Sequence, residues 1–187
     1  MRGIKVIGNT PMIKINYEFK NKPKYIYAKL EYYNLTGSIK DRVAFYIINN
    51  AKKRGKLKEN MPIIEATSGN TGISLAALGK KYKHKVYIFM PDWASKERIN
   101  LMKEYGNDDD SINMTKKLAN ELGLGVGISS GANLIGSILL NEKIDKPVVT
   151  IFADDNKKYF STDLFKEVRP KDEWISSKIK LIDYNII

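Results

Sequence analysis

Strand-like and helix-like runs alternate along this chain, and that alternation confines it to a narrow set of folds. The runs YIYAKLEYY (25–33), PIIEAT (62–67), KVYIFMP (85–91), GVGIS (125–129) and PVVTIFA (147–153) predict strands, most of them rich in β-branched or aromatic residues. Between them, apolar residues recur at helical spacing over about 38–54, 70–82, 94–105, 111–122 and 131–141. Such a pattern predicts an α/β fold, a parallel sheet with helices on both faces. The runs PIIEAT and VVTIFA fit strands buried on both sides. One stretch breaks the rhythm. EYGNDDDSINM (104–114) joins two helical patterns with no strand between them, although parallel neighbours require a crossover. Its acidic run Asp108–Asp110 reads as a helix N-terminus, where carboxylates are favoured.

Composition removes several chemistries. The 187 residues contain no cysteine and one histidine, His84, which excludes disulfides, thiolate nucleophiles and a Cys/His zinc site. A hydrophobic fraction of 43% suffices for a substantial core. No run reaches the length of a membrane span, and MRGIKVIGNTPMIKI has no apolar signal region, so a cytoplasmic protein is expected. The net charge of +11 comes from 32 basic and 21 acidic residues scattered along the chain. It predicts solvated basic faces and no specific nucleic-acid site, since no nucleic-acid-binding motif accompanies it.

Three stretches carry chemistry. In NLTGSIKDR (34–42), Ser38 and Asp41 fit a capping box, which places Lys40 in the first turn of a helix. The macrodipole disfavours a cation there by about 0.3–1 kcal/mol. A nucleophilic lysine is served by the same position, because burial and positive potential both favour its neutral amine. In EATSGNTGISLAALGKKY (65–82), a strand runs into a Thr-Ser-Gly-Asn-Thr-Gly loop and then a helix, an arrangement suited to a carboxylate or phosphate. GISSGAN (127–133) repeats the small polar turn before a helix. The glycines of GLGVG (123–127) do not form a dinucleotide fingerprint; Gly123 reads as a helix C-cap, and there is no P-loop.

Six stretches in order resemble the cysteine synthases, or O-acetylserine sulfhydrylases, of the fold-type II pyridoxal phosphate enzymes. They are IGNTPMIKI (7–15), KLEYYNLTGSIKDR (29–42), EATSGNTGISLAALGKKY (65–82), MPDWASKERINLMKEYG (90–106), GLGVGISSGANL (123–134) and VVTIFADDNKKYFSTDLF (148–165). The resemblance implies that Lys40 is the catalytic lysine, holding the pyridoxal 5'-phosphate cofactor as a Schiff base and transferring protons. It implies that Asn70 binds the cofactor's ring oxygen and Ser129 its pyridine nitrogen, while Thr67, Ser68 and Thr71 bind the substrate carboxylate. The implied reaction is β-replacement on O-acetylserine, with sulfide as the nucleophile and cysteine as the product. Implied partners are those small molecules, a second copy of the chain and serine acetyltransferase.

The chain departs from the family pattern at one place. Family members carry a long segment between the counterparts of MKEYG and DDDSINM, and here Gly106 runs almost directly into Asp108. The absent segment would include the glycine-rich loop that binds the cofactor phosphate. Each charge-assisted hydrogen bond lost with it is worth about 1.5–3 kcal/mol. The expected organisation is an N-terminal α/β region over 1–106, carrying the lysine and the substrate-carboxylate loop, and a remnant of the C-terminal lobe over 107–187. The expected function is a cysteine synthase-like activity impaired by that loss. The alternative is a non-catalytic remnant serving as an interaction or vestigial protein.

Overall fold

The structure is a computed structural model that describes residues 6–67, 69–89, 108–144, 146–159, 164 and 167–187. The helix expected over 94–105, the site candidate Ser68 and most of FSTDLF (160–165) lie outside the described residues. The chain divides into two compact units, Met1–Asn9 with Tyr33–Tyr105, and Thr10–Tyr32 with Gly106–Ile187.

In the second unit, β1 (Met12–Phe19) and β2 (Lys22–Leu30) form an antiparallel hairpin. Lys20 and Asn21 both take positive φ, 55° and 59°, as a tight two-residue hairpin turn requires. Two further strands, β5 (Val149–Phe152) and β6 (Ile179–Ile186), complete a four-stranded sheet of order β5-β2-β1-β6. β5 pairs parallel to β2, and β6 pairs antiparallel to β1 with a register shift between Asn16 and Tyr17. Strict alternation along β1 turns Ile13, Ile15, Tyr17 and Phe19 to one buried face. Met114 and Leu118 of α3 (Asp108–Leu122) and Leu134 and Ile138 of α4 (Ile128–Asn141) join them in the larger core.

The first unit holds α1 (Lys40–Lys53), β3 (Ile63–Ala66), α2 (Asn70–Lys81) and β4 (Val86–Phe89). β3 and β4 pair in parallel as a separate two-stranded sheet. α1 and α2 pack through Ala44, Ile48, Leu75 and Leu78, with Ile63 and Val86 of the sheet against this small core.

The α/β class holds, and two of the strand pairs are parallel. The antiparallel pairs belong to β1 and β6, two strands that the pattern of β-rich runs did not single out. The strand expected over 125–129 is not formed. Val126 makes an isolated bridge to Asp155, and the chain is helical from Ile128. Burial on both sides, expected for PIIEAT and VVTIFA, is also not observed. Ile64 is 64% exposed and Phe89 62%, and Val149 and Ile151 are exposed on β5.

Helix ends match the sequence more closely. α3 is helical from its first described residue, Asp108, through the acidic run. After it, Gly123 takes φ +69°, Gly123 N donates to Ala119 O at 3.1 Å, and Leu124 N donates to Leu118 O at 3.0 Å. This is a left-handed glycine stop. His84 is buried with Nδ1 2.8 Å from Met61 O, a core histidine with its partner.

Candidate functional site

Lys40 is the first residue of α1 and is exposed. The loop before it is built from buried polar groups. Asn34 Oδ1 accepts from Gly8 N at 2.8 Å, Gly37 N donates to Asn34 O at 3.0 Å, and Lys40 N donates to Ser38 Oγ at 3.2 Å. The capping box expected here is half formed. Ser38 does receive a helix amide, but Ile39, the residue at the helix boundary, already has helical dihedrals (φ −56°, ψ −23°). Asp41 does not close the box; its carboxylate turns back onto Thr36, accepting from Thr36 N at 2.6 Å and Thr36 Oγ1 at 2.7 Å.

The second part of the site follows β3. Thr67 comes directly after the strand, Gly69 is extended, and Asn70 and Thr71 are the first two residues of α2, each half-buried. Gly69 N lies 3.4 Å from Thr67 Oγ1. A Cβ on Gly72 would fall 2.7 Å from Thr67 Cγ2, so glycine there lets the threonine tuck against the helix. α2 has no side-chain cap hydrogen bond at its N-cap Gly69. Its first amides therefore present the positive end of the helix dipole where an anion is favoured.

Thr36 Oγ1 lies 3.4 Å from Ser74 Oγ, which joins the loop entering α1 to the beginning of α2. The first unit thus places Lys40 at the start of α1, and Thr67, Asn70 and Thr71 at or just before the start of α2, and the two helices pack together. Ser129 is placed differently: it is the second residue of α4, exposed, in the other unit. Sequence reasoning missed Thr36 and Ser74. A signal for Ser74 was present, a polar residue within the apolar run ISLAAL of α2. Among the described residues, no three His, Cys, Asp or Glu side chains are grouped to hold a metal. Among them too, no helix is long and apolar enough to cross a membrane.

Residues 4–108 match the family model described as pyridoxal-phosphate dependent enzyme. The chain belongs to that family. A probable cysteine synthase of Bacillus subtilis (strain 168) is 40% identical over 127 residues, which cover 63% of this chain and 41% of the relative. The cysteine synthase of Staphylococcus aureus (strain Mu50) is 44% identical over 101 residues, covering 54% of this chain and 33% of its own. The chain therefore spans less than half the length of these curated relatives. Among solved structures, a hydrogen sulfide-producing enzyme from Fusobacterium nucleatum superposes with a TM-score of 0.81 at 26% identity, covering 98% of this chain and 97% of that one. This pyridoxal-phosphate enzyme family fold is thus that of the fold-type II enzymes, and the family's cofactor is pyridoxal phosphate.

Proposed function

We propose that this member of the pyridoxal-phosphate dependent enzyme family is a cysteine synthase-like transferase acting on O-acetylserine and sulfide in cysteine biosynthesis. The observation that carries the reading is the meeting of two helix starts in one unit. One bears an exposed lysine, and the other bears Asn70 and Thr71 beside a Thr67 packed under Gly72.

These residues fit the aldehyde and ring of pyridoxal phosphate. The cofactor, when bound, supplies an electron sink for bond changes at the substrate's α- and β-carbons. Lys40 holds it covalently through Nζ and moves the substrate's α-proton. Asn70 binds the ring oxygen and fixes the ring's orientation. Thr67, Ser68 and Thr71 bind the substrate carboxylate, aided by the dipole of α2. Ser129 pairs with the pyridine nitrogen as a neutral partner.

The glycine-rich phosphate loop is the part the chain does not supply after Gly106, so cofactor affinity is expected to fall about a hundredfold or more relative to a complete family member. In this proposal 1–106 carries the lysine and carboxylate loop, and 107–187 is what is kept of the C-terminal lobe. A homodimer, an association with serine acetyltransferase and a cytoplasmic location belong to the same proposal.

The test is the visible absorption spectrum of the protein mixed with pyridoxal phosphate, with Lys40→Ala as control. A band that requires Lys40 and shifts on addition of O-acetylserine is the expected result. With no Lys40-dependent band, the chain is a non-catalytic remnant of the family.

A further inference from the structure

We propose that Asp41 is a positioning residue for Lys40, fixing the direction in which the lysine leaves α1; the inference rests on Lys40 being the cofactor-bearing residue. Asp41 directly follows Lys40 and is 0% exposed. A carboxylate removed from water is costly unless its oxygens are hydrogen-bonded, and here both oxygens bond one residue. Oδ2 accepts from Thr36 N at 2.6 Å and Oδ1 from Thr36 Oγ1 at 2.7 Å.

The Thr36 hydroxyl has a single proton, and it is committed to Asp41. The 3.4 Å contact between Thr36 Oγ1 and Ser74 Oγ is therefore donated by Ser74. A one-way chain of donors runs from α2 through Ser74 and Thr36 into Asp41. Ser74 and Ser38 are fully buried as well, and Ser38 Oγ receives the Lys40 amide at 3.2 Å. The lysine's own backbone and the side chain next to it are thus both tied to the loop 34–38.

Successive side chains on a helix diverge by about 100°. Locking Asp41 inward onto Thr36 therefore sets the outward path of Lys40, which is exposed. The same donor chain links that path to α2, the helix bearing Asn70 and Thr71. An apolar residue at 41 could fill the space but could not hold both Thr36 donors. The bidentate pairing selects one loop conformation, and with it one placement of Nζ relative to α2.

The experiment is reductive trapping on the full chain. When pyridoxal phosphate reacts with Lys40, Nζ gives up two protons to the departing water as it bonds the aldehyde carbon. Borohydride then reduces that C=N bond to a stable amine, and peptide mass spectrometry reads the extent of trapping at each lysine. The variants are Asp41→Asn, Thr36→Val and Thr36→Ser, each with its melting temperature measured.

Asp41→Asn and Thr36→Val are expected to slow trapping at Lys40 about tenfold or more, leave trapping at Lys52 and Lys80 unchanged, and remain folded. Thr36→Ser, which keeps both donors, is expected to restore the rate. Should Asp41→Asn fail to fold, Thr36→Val decides the matter alone. Lys40 trapping at the unmodified rate in folded Thr36→Val overturns the proposal, as does an equal slowing at every lysine. In both cases the functional reading survives, because Lys40 is still labelled in the unmodified chain. No trapping at Lys40 in the unmodified chain overturns both.

Discussion

Asn70 occupies the first position of α2, one of the two helix starts on which the proposed chemistry depends. Replacing it with alanine removes one polar contact to the cofactor. The expected effect is roughly a tenfold weaker affinity for pyridoxal phosphate, read by fluorescence titration. Tyr17 gives a second prediction, independent of the cofactor. It is buried in the larger core, its hydroxyl donates to Asn141 Oδ1 at 2.8 Å, and burial, helped by the charge of Glu142, pushes its pKa up to about 12 from 10.0. The raised value means that the folded state holds the phenolic proton after the unfolded state has released it. Stability is full below pH 10 and is lost as pH rises toward 12, by about 2–3 kcal/mol. Tyr17→Phe should remove that component, so denaturation midpoints of the two proteins should converge between pH 10 and pH 12. At this scale the sequence was legible where local pattern sets a residue's position: Lys40, expected in the first turn of a helix, opens α1. Asp41 was read as a cap because its spacing from Ser38 fits one. Its true partner, Thr36, emerges only from a backbone that is already helical at Ile39, where the box cannot close.

Among the elements, β6 is anchored at its start by side chains of α3. Asp110, near the start of α3, is buried and accepts from Ile175 N at 3.0 Å and Ser176 N at 2.9 Å, just ahead of β6. Asn113 Nδ2 adds a bond to Ser176 Oγ at 2.8 Å, and Lys117 Nζ donates to Ser176 O at 3.2 Å and to Ile179 O. Asp110→Ala strands two amides and should cost about 3 kcal/mol. Hydrogen exchange should show the loss first as weaker protection over Ile179–Ile186, with α1 and α2 unaffected. The described helices α1 to α4 were legible because their apolar period persists over three or four turns. β1 was legible in principle, since Ile13, Ile15, Tyr17 and Phe19 alternate strictly, but lysine, asparagine and glutamate between them lower its apolar content. β6 carries no such alternation beyond Leu181, and only its pairing with β1 defines it. GVGIS read as a strand from Val126 and Ile128, yet its two glycines favour a turn and the helix dipole begins immediately after them.

At the scale of the whole molecule, the described residues form two cores of unequal size. The larger joins two helices to a four-stranded sheet, whereas the smaller rests on Ala44, Ile48, Leu75 and Leu78. Hydrophobic stabilisation follows buried apolar area, so calorimetry should resolve two transitions, the first unit melting at the lower temperature. Lys40→Ala should leave both transitions in place. Pyridoxal phosphate should raise the lower transition, because Lys40 and Asn70, which the proposal assigns to the cofactor, belong to the first unit. The two-unit division itself was not legible, because residues 10–32 fold with a segment that starts at 106. Local patterns describe neighbours in sequence, and this boundary is made by strands that meet from opposite ends of the chain. That arrangement also sets an order of assembly during translation. The β1–β2 hairpin leaves the ribosome early with Ile13, Ile15, Ile26 and Ala28 on its apolar side, while β5 and β6, its two partners in the sheet, follow more than a hundred residues later. In the interval α1 and α2 can pack on each other through Ala44, Ile48, Leu75 and Leu78. The hairpin cannot complete its sheet, and until β5 and β6 are made its apolar side is open to a chaperone.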